Sequence, residues 1–315
     1  MTIAFLSITS GILLIWASAE KLERYSVIAA KQFGFSPFLI GSTVIAFGTS
    51  APEMLTTFFA ALQNRGPMII GNVVGSNVAN LSLVFGSMLL VVSLKKQVIK
   101  QDPTIYRNLI ILLLSSLLVW LIIATDPFNV TSSVILLISL IGVISYWYKT
   151  NSNESSIEEI IEEKNISFKL FLSLIVLVSA AWLITNGANL ILQNFNLGEL
   201  FIGFTVLAIG TSLPEIAASI SLALKGRYET VAGTLIGSNI FNGLCVLAIP
   251  GLFSNNEMGV SWNYSDWSNL LLILFCITSI FSFYILSLSK KGRKASLLLS
   301  LLFLSTYFVS LIYAY

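Results

Sequence analysis

Forty residues of this chain occur twice. Residues 41–80 lie on 203–242 without a gap, at an offset of 162, and about 17 of the 40 positions are identical. The copies share Gly41/Gly203, Gly48-Thr49-Ser50 over Gly210-Thr211-Ser212, Pro52-Glu53 over Pro214-Glu215, and Gly75-Ser76-Asn77 with Asn80 over Gly237-Ser238-Asn239 with Asn242. Each copy sets one carboxylate in the middle of an apolar run. A duplication of that kind in a hydrophobic chain marks a transporter made of two structural repeats.

The surrounding sequence fits a bilayer. Hydrophobic residues make up 56% and charged residues 10%, against about 25% charged in soluble domains, and the runs between charges are long enough to cross a membrane. Nothing in the charge pattern suggests a nucleic-acid partner, and no obligate protein partner is evident. There is no histidine, and the two cysteines, Cys245 and Cys276, sit in apolar segments. Histidine-based zinc sites, Ser-His-Asp triads and Cys-His dyads are thereby excluded, and no enzyme activity or resident cofactor is expected.

Hydropathy predicts ten segments, at about 3–19, 37–62, 68–93, 108–125, 130–148, 168–192, 200–224, 230–253, 267–289 and 295–314. The first ends Ala17-Ser18-Ala19, which looks like a signal-peptidase site. No Lys or Arg precedes it, however, and its equivalent at 168–192 lies mid-chain, so it is read as a retained helix. The predicted fold class is an all-α polytopic membrane protein. It has a first five-helix repeat at 1–148, an acidic linker at 149–167 and a second repeat at 168–315. The linker carries Glu154, Glu158, Glu159, Glu162 and Glu163 and reads as a solvated, partly helical connection.

Sixteen of the seventeen basic residues fall in loops on one face of this arrangement, and only Arg65 falls on the other. By the positive-inside rule, both termini are expected outside a cell (plasma) membrane and the linker in the cytoplasm. Five helices per half is an odd number. The second half therefore enters the membrane with opposite polarity, and the repeats are inverted about an axis in the membrane plane.

Glu53 and Glu215 are thereby expected to approach one another near the midplane. A carboxylate there costs at least a few kcal/mol unless it is paired, protonated or bound to a cation. The flanking residues supply further oxygens. Pro52 has no N–H for the Gly48 carbonyl and Pro214 none for that of Gly210. A discontinuous helix is predicted in each repeat, with carbonyls of Ala46 to Thr49 and Ala208 to Thr211 turned towards a cavity. Hydroxyls of Thr49, Ser50, Thr211 and Ser212 add donors. On the next helix of each half, Ser76 shares a face with Asn80, and Ser238 with Asn242. Glycines spaced by four, Gly71/Gly75 and Gly233/Gly237, allow close helix packing. An all-oxygen set of this kind suits calcium, magnesium or sodium, and flexible carboxylates with carbonyls favour calcium over magnesium. One calcium or several sodium ions can neutralise the two acids. The empty ionised site is costly to move through the hydrophobic middle, a physical basis for obligatory exchange.

With these residues in view, the chain resembles the cation/calcium antiporter superfamily, in particular the prokaryotic sodium/calcium exchangers. Gly48-Thr49-Ser50-Ala51-Pro52-Glu53 and Gly210-Thr211-Ser212-Leu213-Pro214-Glu215, each followed by a Gly-Ser-Asn segment, look like the two alpha-repeats of that family. The resemblance implies ten transmembrane helices, sodium-driven calcium antiport, and coordination by Glu53, Glu215, Ala46, Thr49, Ser50, Ala208, Thr211 and Ser212, with Ser76, Asn80, Ser238 and Asn242 lining the site. It also implies that the first and sixth helices slide over the other eight. One position departs from it. Archaeal members can carry an aspartate where this chain has Asn242, which bears on stoichiometry and on the preference among sodium, potassium and protons. A calcium/proton or potassium-dependent antiporter is the alternative within transport. Related proton-coupled exchangers place an acidic group after the Gly-Asn of the second motif helix, and Gly71-Asn72 has none. From another class, an intramembrane hydrolase would use the two glutamates as acid and base, but no nucleophile motif accompanies them.

Overall fold

Apolar stretches bounded by charges must satisfy their own backbone groups where no water is available, and the α-helix does so within a single segment. A computed structural model describes residues 2–31, 37–94, 104–151, 165–195, 198–253 and 293–314, and these form nine helices and no strand. They are α1 (Thr2–Lys31), α2 (37–62), α3 (Gly66–Leu94), α4 (Thr104–Thr125), α5 (Val130–Asn151), α6 (Ile166–Phe195), α7 (199–224), α8 (228–253) and α9 (Arg293–Ala314). The segment expected at 267–289 and most of the acidic linker lie outside the described residues. The first helix corrects the sequence reading. It runs 30 residues instead of ending near Ala19, so Lys21 and Arg24 ride on its last turns. A helix of that length spans about 45 Å, more than the hydrocarbon core, so its basic end can stand in the interface while remaining helical.

The duplication is visible in the turns. Leaving α2, Gln63, Asn64 and Arg65 donate backbone bonds to Ala60, Ala61 and Ala60. Leaving α7, Lys225, Gly226 and Arg227 donate to Leu222, Ala223 and Leu222. The left-handed position falls on Asn64 (φ 54°) in one copy and Gly226 (φ 73°) in the other, residue types that tolerate it.

The repeats interlock crosswise. α8 of the second half packs on α2, and α3 of the first half packs on α7. Glycine makes this approach possible. A Cβ on Gly41 would stand 2.5 Å from the Thr230 carbonyl oxygen, and one on Gly203 would stand 2.2 Å from that of Met68. Gly71 likewise meets Leu200, and Gly233 meets Phe38. Every contact reappears at the offset of 162. At the centre, the Asn77 side chain donates to the backbone carbonyl of its own counterpart, Asn239, at 3.2 Å, so the pseudo-twofold axis passes between these two residues.

The four motif helices also share a departure from α-geometry. α2 and α7 contain π-turns at Ile40–Ile45 and Gly203–Leu207, while α3 and α8 contain them at Asn80–Val84 and Asn242–Val246. The Ala46 amide reaches back to Gly41 and the Ala208 amide to Gly203. Thr43 and Thr205 hydroxyls cover the carbonyls of Leu39 and Phe201, where the regular ladder is interrupted.

Around this core, α1 and α6 form a long antiparallel pair lying over α2 and α7. Gly11 sits against Ile184, and Gly187 against Ile8. α9 closes the outside of α3 through Phe85 and Phe303, with ring centres 5.2 Å apart. α4 and α5 are joined by a bond of 2.8 Å from the Trp147 indole to Asn108. Arg65 pairs with Glu199, and Asn189 near the end of α6 bonds Gln63. The end of α2 and the start of α7 therefore lie on one face, and the equivalent helices of the two halves run in opposite directions.

Candidate functional site

Two charged side chains are buried in the interior of the described residues, and they are the repeat-related pair. Glu53 on α2 and Glu215 on α7 are both 0% exposed. The Glu53 carboxylate lies among the hydroxyls of Thr211, Ser76 and Ser212, which belong to α7 and α3. Neither of its oxygens has a hydrogen bond of ordinary geometry. Hence the acid of the first repeat faces the residues that immediately precede the acid of the second.

The remaining sequence-predicted residues lie buried on the four motif helices α2, α3, α7 and α8. Thr49, Ser50, Thr211, Ser212, Ser76, Asn80, Ser238 and Asn242 are fully buried, as are Ala46 and Ala208. Thr49 and Ser238 hydroxyls meet across the repeats at 3.2 Å, and Thr49 also reaches the Ala46 carbonyl at 3.3 Å. Thr211 bonds the Leu207 carbonyl at 2.9 Å. The side-chain oxygens of Ser50, Ser76, Ser212, Asn80 and Asn242 have no hydrogen-bond partner although they are shut away from solvent. Burying so many unsatisfied acceptors costs about 1–3 kcal/mol for each, a cost that cation coordination relieves.

One sequence expectation is corrected here. The motif helix of the second repeat is broken, with Ser212 interrupting it and a bend of 42° between its two parts. That of the first is not: Ala46–Leu62 is a continuous α-helix with Pro52 inside it. Pro214 is the second residue of the helix that restarts at Leu213, where a missing N–H is harmless. Pro52 is accommodated within a continuous helix, where the Gly48 carbonyl still lacks its usual donor. Gly48 has open space where a Cβ would be, so its backbone is not crowded from that side.

Sequence reasoning missed a further buried cluster. The Asn72 amide donates to Thr56 at 3.3 Å and Thr57 at 3.1 Å, and all three residues are 0% exposed. Thr56 in turn bonds the carbonyls of Pro52 at 3.0 Å and Glu53 at 3.1 Å. The available signal was three polar residues at helical spacing on apolar helices, one turn past Glu53 and Ser76. No group of three or more His, Cys, Asp or Glu residues is assembled among the described residues.

Two stretches of the chain, residues 3–149 and 167–315, match the family model described as sodium/calcium exchanger protein. The chain belongs to that family. Among sodium/calcium exchanger relatives, it is 24% identical over 344 residues to the sodium/calcium exchanger MaX1 of Methanosarcina acetivorans, covering 88% of this chain and 97% of the relative. It is 31% identical over 306 residues to the uncharacterized membrane protein MJ0091 of Methanocaldococcus jannaschii, covering 96% and 94%. A solved structure of the sodium-calcium exchanger NCX_Mj, soaked with sodium and calcium, is similar with a TM-score of 0.70 and 27% identity, over 98% of this chain and 97% of that one. As an exchanger-family protein, this chain is an all-helical, polytopic membrane antiporter made of inverted repeats, as the duplication predicts.

Proposed function

We propose that the protein exchanges sodium for calcium across the membrane by alternating access to one site. Glu53 and Glu215 hold the cation charge, and oxygens of Ala46, Thr49, Ser50, Ala208, Thr211 and Ser212 with Ser76, Asn80, Ser238 and Asn242 complete the site. The observation that carries this reading is that both repeat-related carboxylates are fully buried, that of Glu53 among the neutral hydroxyls of Thr211, Ser76 and Ser212. Two negative charges placed there are tolerable in the bilayer interior when mobile cations balance them. One calcium, or sodium ions in number, supplies that balance, and the oxygen-only donor set is of the type these hard cations take. On this reading residues 1–148 and 168–315 are the two working halves and 149–167 a cytoplasmic linker, with both termini outside.

The test is calcium uptake into proteoliposomes driven by an outward sodium gradient. Glu53→Gln and Glu215→Gln are each expected to abolish it while leaving the purified protein monodisperse and its melting temperature no lower. Uptake that persists in both variants removes the glutamates from the mechanism. Imposing sodium, potassium and proton gradients separately distinguishes this reading from proton-coupled or potassium-dependent exchange.

A further inference from the structure

We infer that Asn72 is an additional cation ligand, one helical turn beyond the Glu53 site towards the face that carries Arg65, and that it makes the two approaches to the site unequal. This rests on the exchange reading above but concerns a residue outside its ligand set. Asn72, Ser76 and Asn80 follow one another at intervals of four on α3 and so share a face, each step rising about 6 Å along the axis. Ser76 is beside the Glu53 carboxylate, and Asn72 continues the same row.

The orientation of the amide follows from proton counting. Thr56 has one hydroxyl proton, and its oxygen lies 3.0 Å from the Pro52 carbonyl and 3.1 Å from that of Glu53, neither of which can donate. That proton is committed, so towards Asn72 the Thr56 oxygen can only accept. The Asn72 group facing Thr56 and Thr57 is therefore its NH2, as the bonds of 3.3 and 3.1 Å require. Its Oδ1 is turned away from both threonines, fully buried and without a hydrogen-bond partner. A fixed, unpartnered amide carbonyl is a hard neutral donor of the kind calcium and sodium accept.

The second repeat has no equivalent. Thr234, Ala218 and Ser219 occupy the positions of Asn72, Thr56 and Thr57, and the Thr234 hydroxyl is spent on the Thr230 carbonyl of its own helix, at 2.9 Å. A cation approaching from the Arg65 face meets an oriented carbonyl oxygen one turn before the glutamates. One approaching from the Arg227 face meets hydroxyls alone.

The experiment uses proteoliposomes whose protein orientation is fixed by impermeant labelling of a cysteine placed at Asn64, with calcium itself as the probe. In Asn72→Thr, which gives the first repeat the residue that the second has at Thr234, the apparent KM for calcium offered at the Arg65 face should rise about tenfold, the worth of one hydrogen-bonding oxygen to a charged group. The KM at the opposite face should stay within about twofold. The paired variant Thr56→Val with Thr57→Val, which releases the amide to rotate, should give a smaller rise on the same face. Equal rises at both faces would make Asn72 a packing residue and overturn the assignment, as would no rise at either. Absence of sodium-driven calcium movement in the unmodified protein would instead strike the exchange reading, a separate and recognisable outcome.

Discussion

At the residue scale, the glycines divide into two kinds that mutation should separate. Adding a methyl at Gly71 brings it within 2.3 Å of the Leu200 carbonyl oxygen, a backbone atom that cannot step aside, whereas Gly48 has nothing within 4 Å. Gly71→Ala should lower stability by about 1–3 kcal/mol through overpacking. Gly48→Ala should leave stability unchanged or raise it by up to about 1 kcal/mol, since alanine is the better helix former. Melting temperatures of the two purified variants in one detergent check the contrast, and equal losses would contradict it. Glu53 and Glu215 were legible in the sequence because an acid inside an apolar run has few physical excuses. Asn72 was not. Within Gly-Asn-Val-Val-Gly it reads as part of a packing face, and only the committed Thr56 proton reveals which way its carbonyl points.

Elements were legible to the extent that hydropathy and turn chemistry act locally. The turns after Leu62 and Leu224, and eight of the predicted segments apart from the first, appear among the described helices close to where charges and glycines bound them. The π-turns had no sequence signal of their own, because an extra residue in a turn is decided by what the helix packs against, here at Gly41 and Gly203. The same lesson applies to the prolines. Identical Gly-Thr-Ser-x-Pro-Glu motifs give a continuous helix around Pro52 and a break before Pro214, so the motif permits a break without imposing it. Pro214→Ala returns a donor to the Gly210 carbonyl and favours a straighter α7. Expected are a melting temperature no higher than that of the unmodified protein, since the missing N–H is harmless in a first turn, and slower sodium-driven calcium uptake. Uptake at the unmodified rate would make the bend incidental to transport.

For the whole molecule, the distribution of basic residues predicts which way the bundle faces. With the native cysteines replaced by serine, an impermeant thiol reagent applied to intact cells should label a cysteine at Asn64 and fail to label one at Lys225. The reverse pattern would invert the proposed topology. Inversion was readable from the odd helix number per half, and the Arg65–Glu199 pair gives it a structural form by tying the end of one motif helix to the beginning of its counterpart. The departure from symmetry at the axis was not readable, because it lives in hydrogen bonds made by residues of identical type.

The pair on the axis shows what such a departure implies. Asn77 reaches across to Asn239, but Asn239 does not answer in kind: its own amide turns back to Leu235 at 2.8 Å. The asparagines of two identical Gly-Ser-Asn triplets have taken different partners, which is how a two-headed latch looks when thrown to one side. By the repeat symmetry, the opposite setting would have Asn239 crossing to the Asn77 carbonyl and Asn77 returning to Val73. Replacing either asparagine with leucine should therefore favour one resting orientation over the other, and the two replacements should favour opposite ones.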